Sequence, residues 1–261
     1  MNKLWLPPRH AAEKLGLDRR KFLGASLVTG ASLVTGVSSL TSLVLAGCDS
    51  KGPKSAAGLL AASERFNEKF ERALFRHNSM NVAPAGAQLA GAGFPSYFIS
   101  ASVPVWDDKE RGAWQLEVGG AVARPMRLSL GDLMSLPRTE QRLEHFCVEG
   151  WSAVSVRTGV LLSELARRVG LSPDARYVDF QSFDDDYHES WDLDSALHPQ
   201  TLIVYGQDGA PLGPAFGAPA RVYSPVKLGY KNTKYLTRIL FLPERNGGYW
   251  SDQGYEWYGG V

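Results

Sequence analysis

The chain has 261 residues, 44% of them hydrophobic and 21% charged, and a formal net charge of +1. So even a balance excludes the basic footprint of a nucleic-acid binder, and the ordinary apolar content excludes a disordered chain. With the ends set aside, the remainder suits one domain able to fold without disulfide staples; 27 Gly, 15 Pro and 7 Trp point to turns, short strands and large buried rings.

The first fifty residues read as an address. After a long leading region, Asp18-Arg19-Arg20-Lys21-Phe22-Leu23-Gly24 resembles the twin-arginine export signal. Residues 22–47 carry no charge and are rich in Gly, Ser, Thr and Ala. They are long enough to span a bilayer, so a transmembrane anchor is the alternative, although targeting segments imitate spans. The stretch ends in Leu45-Ala46-Gly47-Cys48, which resembles the lipobox of bacterial lipoproteins, with Cys48 as the acylated residue. By enterobacterial sorting rules the following Asp49 keeps a lipoprotein on the inner membrane. The expected divisions are a twin-arginine lipoprotein signal over 1–47, a tether and N-terminal helix over 48–80, and an oxidoreductase domain over 81–261. The expected location is the periplasm, lipid-anchored to the inner membrane. Twin-arginine export carries folded proteins and suits cofactors inserted in the cytoplasm.

Phe66, Phe70 and Leu74 lie at i, i+4 and i+8 and predict a helix over 59–76. Residues 80–96, rich in Pro, Gly and Ala, predict a surface loop. Residues 114–118 alternate as a strand that Gly119-Gly120 turns. Ser129 caps a short helix that Pro137 stops. Residues 140–148 form a strand delivering Cys147 near its end, with Gly150 breaking it. Residues 160–169 are predicted helical, with Leu161, Leu165 and Val169 on one face. Residues 177–183, 201–206, 220–226 and 236–242 read as strands. Strands outnumber helices without regular alternation, which gives an α+β class with mixed or antiparallel sheets and short helices.

The chain has two cysteines. With Cys48 acylated, Cys147 stands alone in an oxidising compartment. It is either a small buried apolar residue or a thiolate metal ligand. No second cysteine or close histidine pair completes a zinc set, so a metal here requires a cofactor to supply most of its ligands.

Three segments carry a family resemblance. His145-Phe146-Cys147-Val148-Glu149-Gly150-Trp151-Ser152 resembles the metal-ligand segment of the molybdopterin-binding domain of the sulfite oxidase superfamily. Its variant is nearest to the periplasmic methionine-sulfoxide reductase branch. Thr158-Gly159-Val160-Leu161-Leu162 with Leu165 is similar to the stretch that follows, and Gly217-Ala218-Pro219-Ala220-Arg221-Val222 with Gly229-Tyr230-Lys231-Asn232-Thr233-Lys234 resembles the cofactor segments. Order and spacing agree over roughly residues 95–258. The resemblance implies the superfamily's molybdopterin-binding fold and a mononuclear molybdenum held by one pterin dithiolene and Cys147. It implies cofactor contacts from Tyr97, Phe98, Ser182, Arg221, Gly229, Tyr230 and Lys231. Arg221 offers a planar fork and Lys231 a point charge for the pterin phosphate, and backbone N–H groups around Gly229 can add a nest. Outside that context Arg221 and Lys231 read as solvated charges. Phe216 departs from the branch, which has asparagine there and gains a cofactor hydrogen bond. With the sequence ending at Val261, no C-terminal immunoglobulin-like dimerisation domain is expected.

The implied activity is an exported molybdopterin-dependent oxidoreductase performing two-electron oxygen-atom transfer, reducing an S- or N-oxide. The alternatives are sulfite dehydrogenase-type oxidation and a metal-free binding module that kept the fold. Sulfite oxidases place an arginine soon after the metal cysteine, whereas Val148, Glu149, Gly150 and Trp151 follow here and suit a neutral substrate. Residues 184–191 are the candidate pocket wall. Tyr187 is a candidate donor to the transferred oxygen and His188 a candidate proton source, the alternative being a solvated acidic loop. His145 is either a pocket residue or a packing residue. Without a haem, flavin or iron–sulfur motif, the electron partner is expected to be a membrane haem protein or a small cytochrome.

Overall fold

The spacing of Phe66, Phe70 and Leu74 produces helix α1 (Ala57–Leu74) in the computed structural model, which describes residues 57–74, 79–184 and 187–261. Such a stripe ordinarily faces a core. Here it faces outward: Leu59, Phe66, Phe70 and Leu74 are 59% to 72% exposed. The helix is held by its charged side instead. Arg72 lies 3.1 Å from Asp194 and 3.8 Å from the buried Asp192, and Arg245 pairs with Glu64. The export segment, Cys48, the tether over 50–56, Phe75 and Asp185-Asp186 lie outside the described residues. No described helix is long and apolar enough to cross a membrane.

Residues 79–106 run along the domain without regular strands, fastened by a bridge between Leu89 and Val154. A single helical turn, α2 (Asp108–Arg111), leads into β1 (Gln115–Gly120) and β2 (Met126–Ser129). Gly119 and Gly120 prolong β1 rather than turning it; a Cβ on Gly120 would meet the Phe241 carbonyl oxygen at 2.2 Å, so only glycine permits that approach. Ser129 and Asp132 close a capping box on α3 (Leu130–Ser135).

Two long strands follow, β3 (Thr139–Phe146) and β4 (Ser152–Leu161), paired along their whole length. β4 corrects the expectation of a helix from residue 160: Val160 and Leu161 finish the strand. Gly159 sits at a register shift where a Cβ would meet the Ile203 carbonyl oxygen at 2.2 Å, which accounts for glycine in the Thr-Gly motif. The helix that follows, α4 (Leu162–Val169), buries Leu162, Leu165, Ala166 and Val169, so Leu165 and Val169 share the buried face as expected while Leu161 ends the strand before it.

β5 (Tyr177–Ser182) pairs with β6 (His188–Asp192), a strand where a pocket loop was expected. Four elements complete the domain after it: α5 (Leu193–Ala196), β7 (Leu202–Gln207), β8 (Ala210–Pro211) and β9 (Arg221–Tyr223). β10 (Leu236–Leu242) closes it. One sheet has the order β2-β1-β10-β5-β6, antiparallel except for β1 with β10. The other has the order β3-β4-β7-β8, with β9 also on β7. Between them α4 packs with Leu116, Val118, Phe180, Trp191 and Ile239 in the main core. A smaller core of Leu143, Leu202, Val204, Leu212 and Tyr223 lies beneath the far end of β3. The fold is the expected α+β class with mixed sheets.

Candidate active site

Cys147 occupies the tip of the β3–β4 hairpin. Its N–H donates to the Trp151 carbonyl and its own carbonyl accepts from Gly150, each at 3.0 Å. Gly150 turns there with φ +83°. The tip overhangs a cavity of about 290 Å³. Cys147 is half-buried, and burial pushes its thiol up.

β9 and the turn after it supply two basic side chains to the same cavity. Arg221 is buried and donates only to carbonyls, those of Asn232 at 2.8 Å, Phe216 at 3.2 Å and Val222 at 3.4 Å. Lys234 Nζ donates to the Tyr97 carbonyl at 2.6 Å, the Ala215 carbonyl at 2.9 Å and Ser96 Oγ at 3.0 Å. Burial, with Arg221 and Arg157 nearby, draws Lys234 down to about 6; burial and Arg157 draw Arg221 down to about 9. No ion pair neutralises Arg157, Arg221 or Lys234 among the described residues. Buried charge of one sign without a counter-ion is costly, so this wall is built for an anion.

His145 also lines the cavity, stacked near Phe94, Trp151 and Tyr223 at 5.3 to 5.7 Å. Burial and the same cations pull it to about 3, which keeps the imidazole neutral, and its Nδ1 has no hydrogen-bond partner. A Cβ on Gly229 would lie 2.8 Å from His145 Nε2, so glycine is needed for the turn to approach the hairpin.

The remaining wall is aromatic. Tyr97, Phe98, Trp151, Tyr230, Trp250 and Tyr255 line it with Ser182 and Tyr187. Asp184 pins the N-terminal segment by accepting from the Ile99 and Ser100 amides at 2.9 and 3.1 Å. Tyr187 lines the cavity with its hydroxyl donated to the Tyr230 carbonyl.

The structure thus brings Tyr97, Phe98, Cys147, Ser182, Tyr187, Arg221, Gly229 and Tyr230 to one cavity. Two expected site residues are corrected. Lys231 is fully buried with Nζ against Glu189, so its charge is already neutralised and it does not line the cavity. His188 stands on β6 with Nδ1 2.9 Å from the buried Asp179, away from the cavity lining. Lys234 and Glu149 also line the cavity, a placement their motifs alone do not assign. Lys234 was visible as the second lysine of Gly-Tyr-Lys-Asn-Thr-Lys, but spacing cannot say which lysine turns inward.

A thiol sharing one cavity with two basic groups that lack an ion-pair partner among the described residues fits a cofactor that pairs a sulfur-bound metal with an anionic tail. Residues 100–250 match the family described as the oxidoreductase molybdopterin binding domain. The chain belongs to this family. A putative protein-methionine-sulfoxide reductase subunit from Azospira oryzae is 37% identical over 218 residues, covering 83% of this chain and 82% of that relative. The protein-methionine-sulfoxide reductase catalytic subunit of Ralstonia nicotianae is 37% identical over 153 residues, and there the match spans 46% of the relative's length. An uncharacterized oxidoreductase of Bacillus subtilis is 34% identical over 158 residues, 60% of this chain and 78% of that one. Among solved structures, the sulfane dehydrogenase of Paracoccus pantotrophus superposes with a TM-score of 0.51 at 18% identity, over 56% of this chain and 41% of that one. That likeness concerns the fold. As a molybdopterin-binding oxidoreductase domain, the chain brings Cys147 and Arg221 to the lining of one cavity.

Proposed function

We propose that this protein reduces a sulfoxide-type substrate at a mononuclear molybdenum held by a single pterin, with Cys147 as the protein ligand. The observation that carries the reading is the cavity itself: its lining brings the Cys147 thiol together with Arg221 and Lys234, which have no ion-pair partner among the described residues, and with a largely aromatic wall. The names of the relatives from Azospira and Ralstonia support the same direction.

Arg221 and Lys234 would hold an anionic end of the cofactor, with Gly229 and Tyr230 lining the same cavity. When bound, molybdenum supplies two-electron oxygen-atom exchange. The net reaction takes two electrons and two protons, breaks the S=O bond, and releases a thioether and water. Tyr97, Trp151 and Tyr255 present apolar faces to the substrate's carbon skeleton. No arginine follows Cys147 to collect a dianion, which argues against sulfite. Tyr187 binds the Tyr230 carbonyl and so fixes the turn that borders the cofactor. Electrons arrive from a membrane haem protein or a small cytochrome. Export by the twin-arginine route and acylation of Cys48 anchor the enzyme to the periplasmic face of the inner membrane; several acyl carbons contribute about 0.8 kcal/mol per buried CH₂.

The test uses metal-loaded protein with a reduced viologen dye. Methionine sulfoxide is expected to oxidise the dye, and sulfite with an electron acceptor is expected to give no turnover. Sulfite oxidation without sulfoxide reduction overturns the direction, and protein that takes up no molybdenum overturns the enzyme.

A further inference from the structure

Helix α1 presents two faces of opposite character. At 100° per residue, the side chains of Glu64, Glu68, Glu71 and Arg72 centre roughly 150° from the stripe of Leu59, Phe66, Phe70 and Leu74. The charged face is fully used: Arg72 bridges Glu68 and Asp194, Arg245 reaches Glu64 and Glu68, and Glu71 faces Glu256. Arg72 also lies over the Tyr258 ring at 5.9 Å. The helix therefore cannot roll its apolar stripe inward without breaking these contacts.

Two features say what covers the stripe. Exposed Lys69 flanks it on one side, where its long stem can lie along apolar surface and carry charge to anionic headgroups. Eight residues separate Cys48 from Ala57, a reach of roughly 30 Å at full extension. A helix on so short a leash cannot leave the vicinity of a membrane that holds Cys48.

We propose that α1 lies flat on the bilayer surface, with Leu59, Phe66, Phe70 and Leu74 in the interfacial zone and Lys69 among anionic headgroups. This rests on the membrane anchoring proposed above. An interfacial helix sinks its apolar face about 5–10 Å into the headgroup and acyl boundary.

The experiment places the acylated holoprotein carrying Phe70→Trp in vesicles of phosphatidylethanolamine and phosphatidylglycerol, with no other protein present. Lipids brominated near the top of the acyl chains report depth. The emission added by Trp at position 70 is expected to shift to the blue and to be quenched by roughly half or more, as for a side chain in the interfacial zone. Emission that stays red and unquenched overturns the proposal. So does a blue shift that appears in detergent without vesicles and accompanies a doubled sedimentation mass, since a second copy then covers the face. Mass spectrometry of the N-terminal peptide separates the two readings. Unmodified Cys48 with a quenched position 70 sinks the anchor alone, and acylated Cys48 with an unquenched position 70 sinks the helix face alone.

Discussion

The Tyr97 hydroxyl donates to Glu149 at 3.0 Å, tying the N-terminal segment to the hairpin tip that carries Cys147. Trp151 Nε1 reaches the same carboxylate oxygen at 3.1 Å. Glu149 is thus a positioning residue that orders two aromatic walls of the mouth. Glu149→Ala is expected to raise KM for a sulfoxide about three- to tenfold, because the loss of two charge-assisted hydrogen bonds loosens the walls. Glu149→Gln, which still accepts, should recover most of the loss. Steady-state kinetics with both variants decide it; equal KM values throughout would remove the clasp.

The two lysines of the cofactor segment should separate cleanly. Lys234→Ala and Arg221→Ala are each expected to lower cofactor retention about ten- to hundredfold, since each removes a charge-assisted contact of about 1.5–3 kcal/mol. Lys231→Met should instead destabilise the fold by about 3–5 kcal/mol by leaving Glu189 buried and unpaired. Adding Glu189→Leu should restore much of it. Pterin content and denaturant titrations, run on the same preparations, check both halves. Full cofactor occupancy in Arg221→Ala would refute the anion wall.

Cys147→Ser preserves volume, so the fold should survive, while a serine oxygen is a harder and weaker donor than a thiolate. Turnover is expected to fall by about a thousandfold or more, in the range seen when a group acting only at the reacting centre is lost. Pterin should remain bound through Arg221 and Lys234. Metal analysis and paramagnetic resonance read the outcome: an unchanged Mo(V) signal with undiminished turnover would mean that Cys147 is not the ligand.

The His188–Asp179 pair predicts a pH signature of stability. The hydrogen bond from Asp179 raises His188 above its usual 6.5, and against the opposing effect of burial the bonds from His188 and Gln181 hold Asp179 below 3.8. A raised histidine stabilises fully below its unfolded value and loses that contribution as pH rises through its folded value. A lowered aspartate stabilises above its unfolded value and loses that contribution as pH falls through its folded one. The pair's support is therefore greatest between about pH 4 and 6.5. His188→Gln should flatten the decline of Tm from about pH 6 to 9, with turnover within about twofold of wild type because the ring stands away from the cavity. Calorimetry across that range tests it, and an unchanged Tm profile in the variant would count against the pair.

For export, replacing both Arg19 and Arg20 with lysine should strand the precursor in the cytoplasm, since the pair is read by a receptor. Mass spectrometry of the native N-terminus should find acylated Cys48 as the first residue. A start elsewhere would remove the lipoprotein reading.

What the sequence determined by itself was periodic or contiguous. Alternation in Gln115-Leu116-Glu117-Val118 is a property of one strand, the serine cap belongs to four adjacent residues, and the ordered motifs around Cys147, Arg221 and Gly229 mark the family without any contact being known. The tertiary structure decided matters that depend on partners far along the chain. Lys231 and Lys234 are three residues apart and chemically identical, yet the turn at Gly229–Lys231 sends one toward Glu189 and leaves the other facing the cavity. His188 looked like a loop acid–base group until β5 placed Asp179 beside it. The stripe on α1 announced a helix, but its direction was set by Asp194 and Arg245 on the far side of the sequence. Local patterns record which face of an element is apolar. Which charge is met, and so which group stays free to bind, is settled only when distant segments close on one another and burial makes every unpaired charge costly.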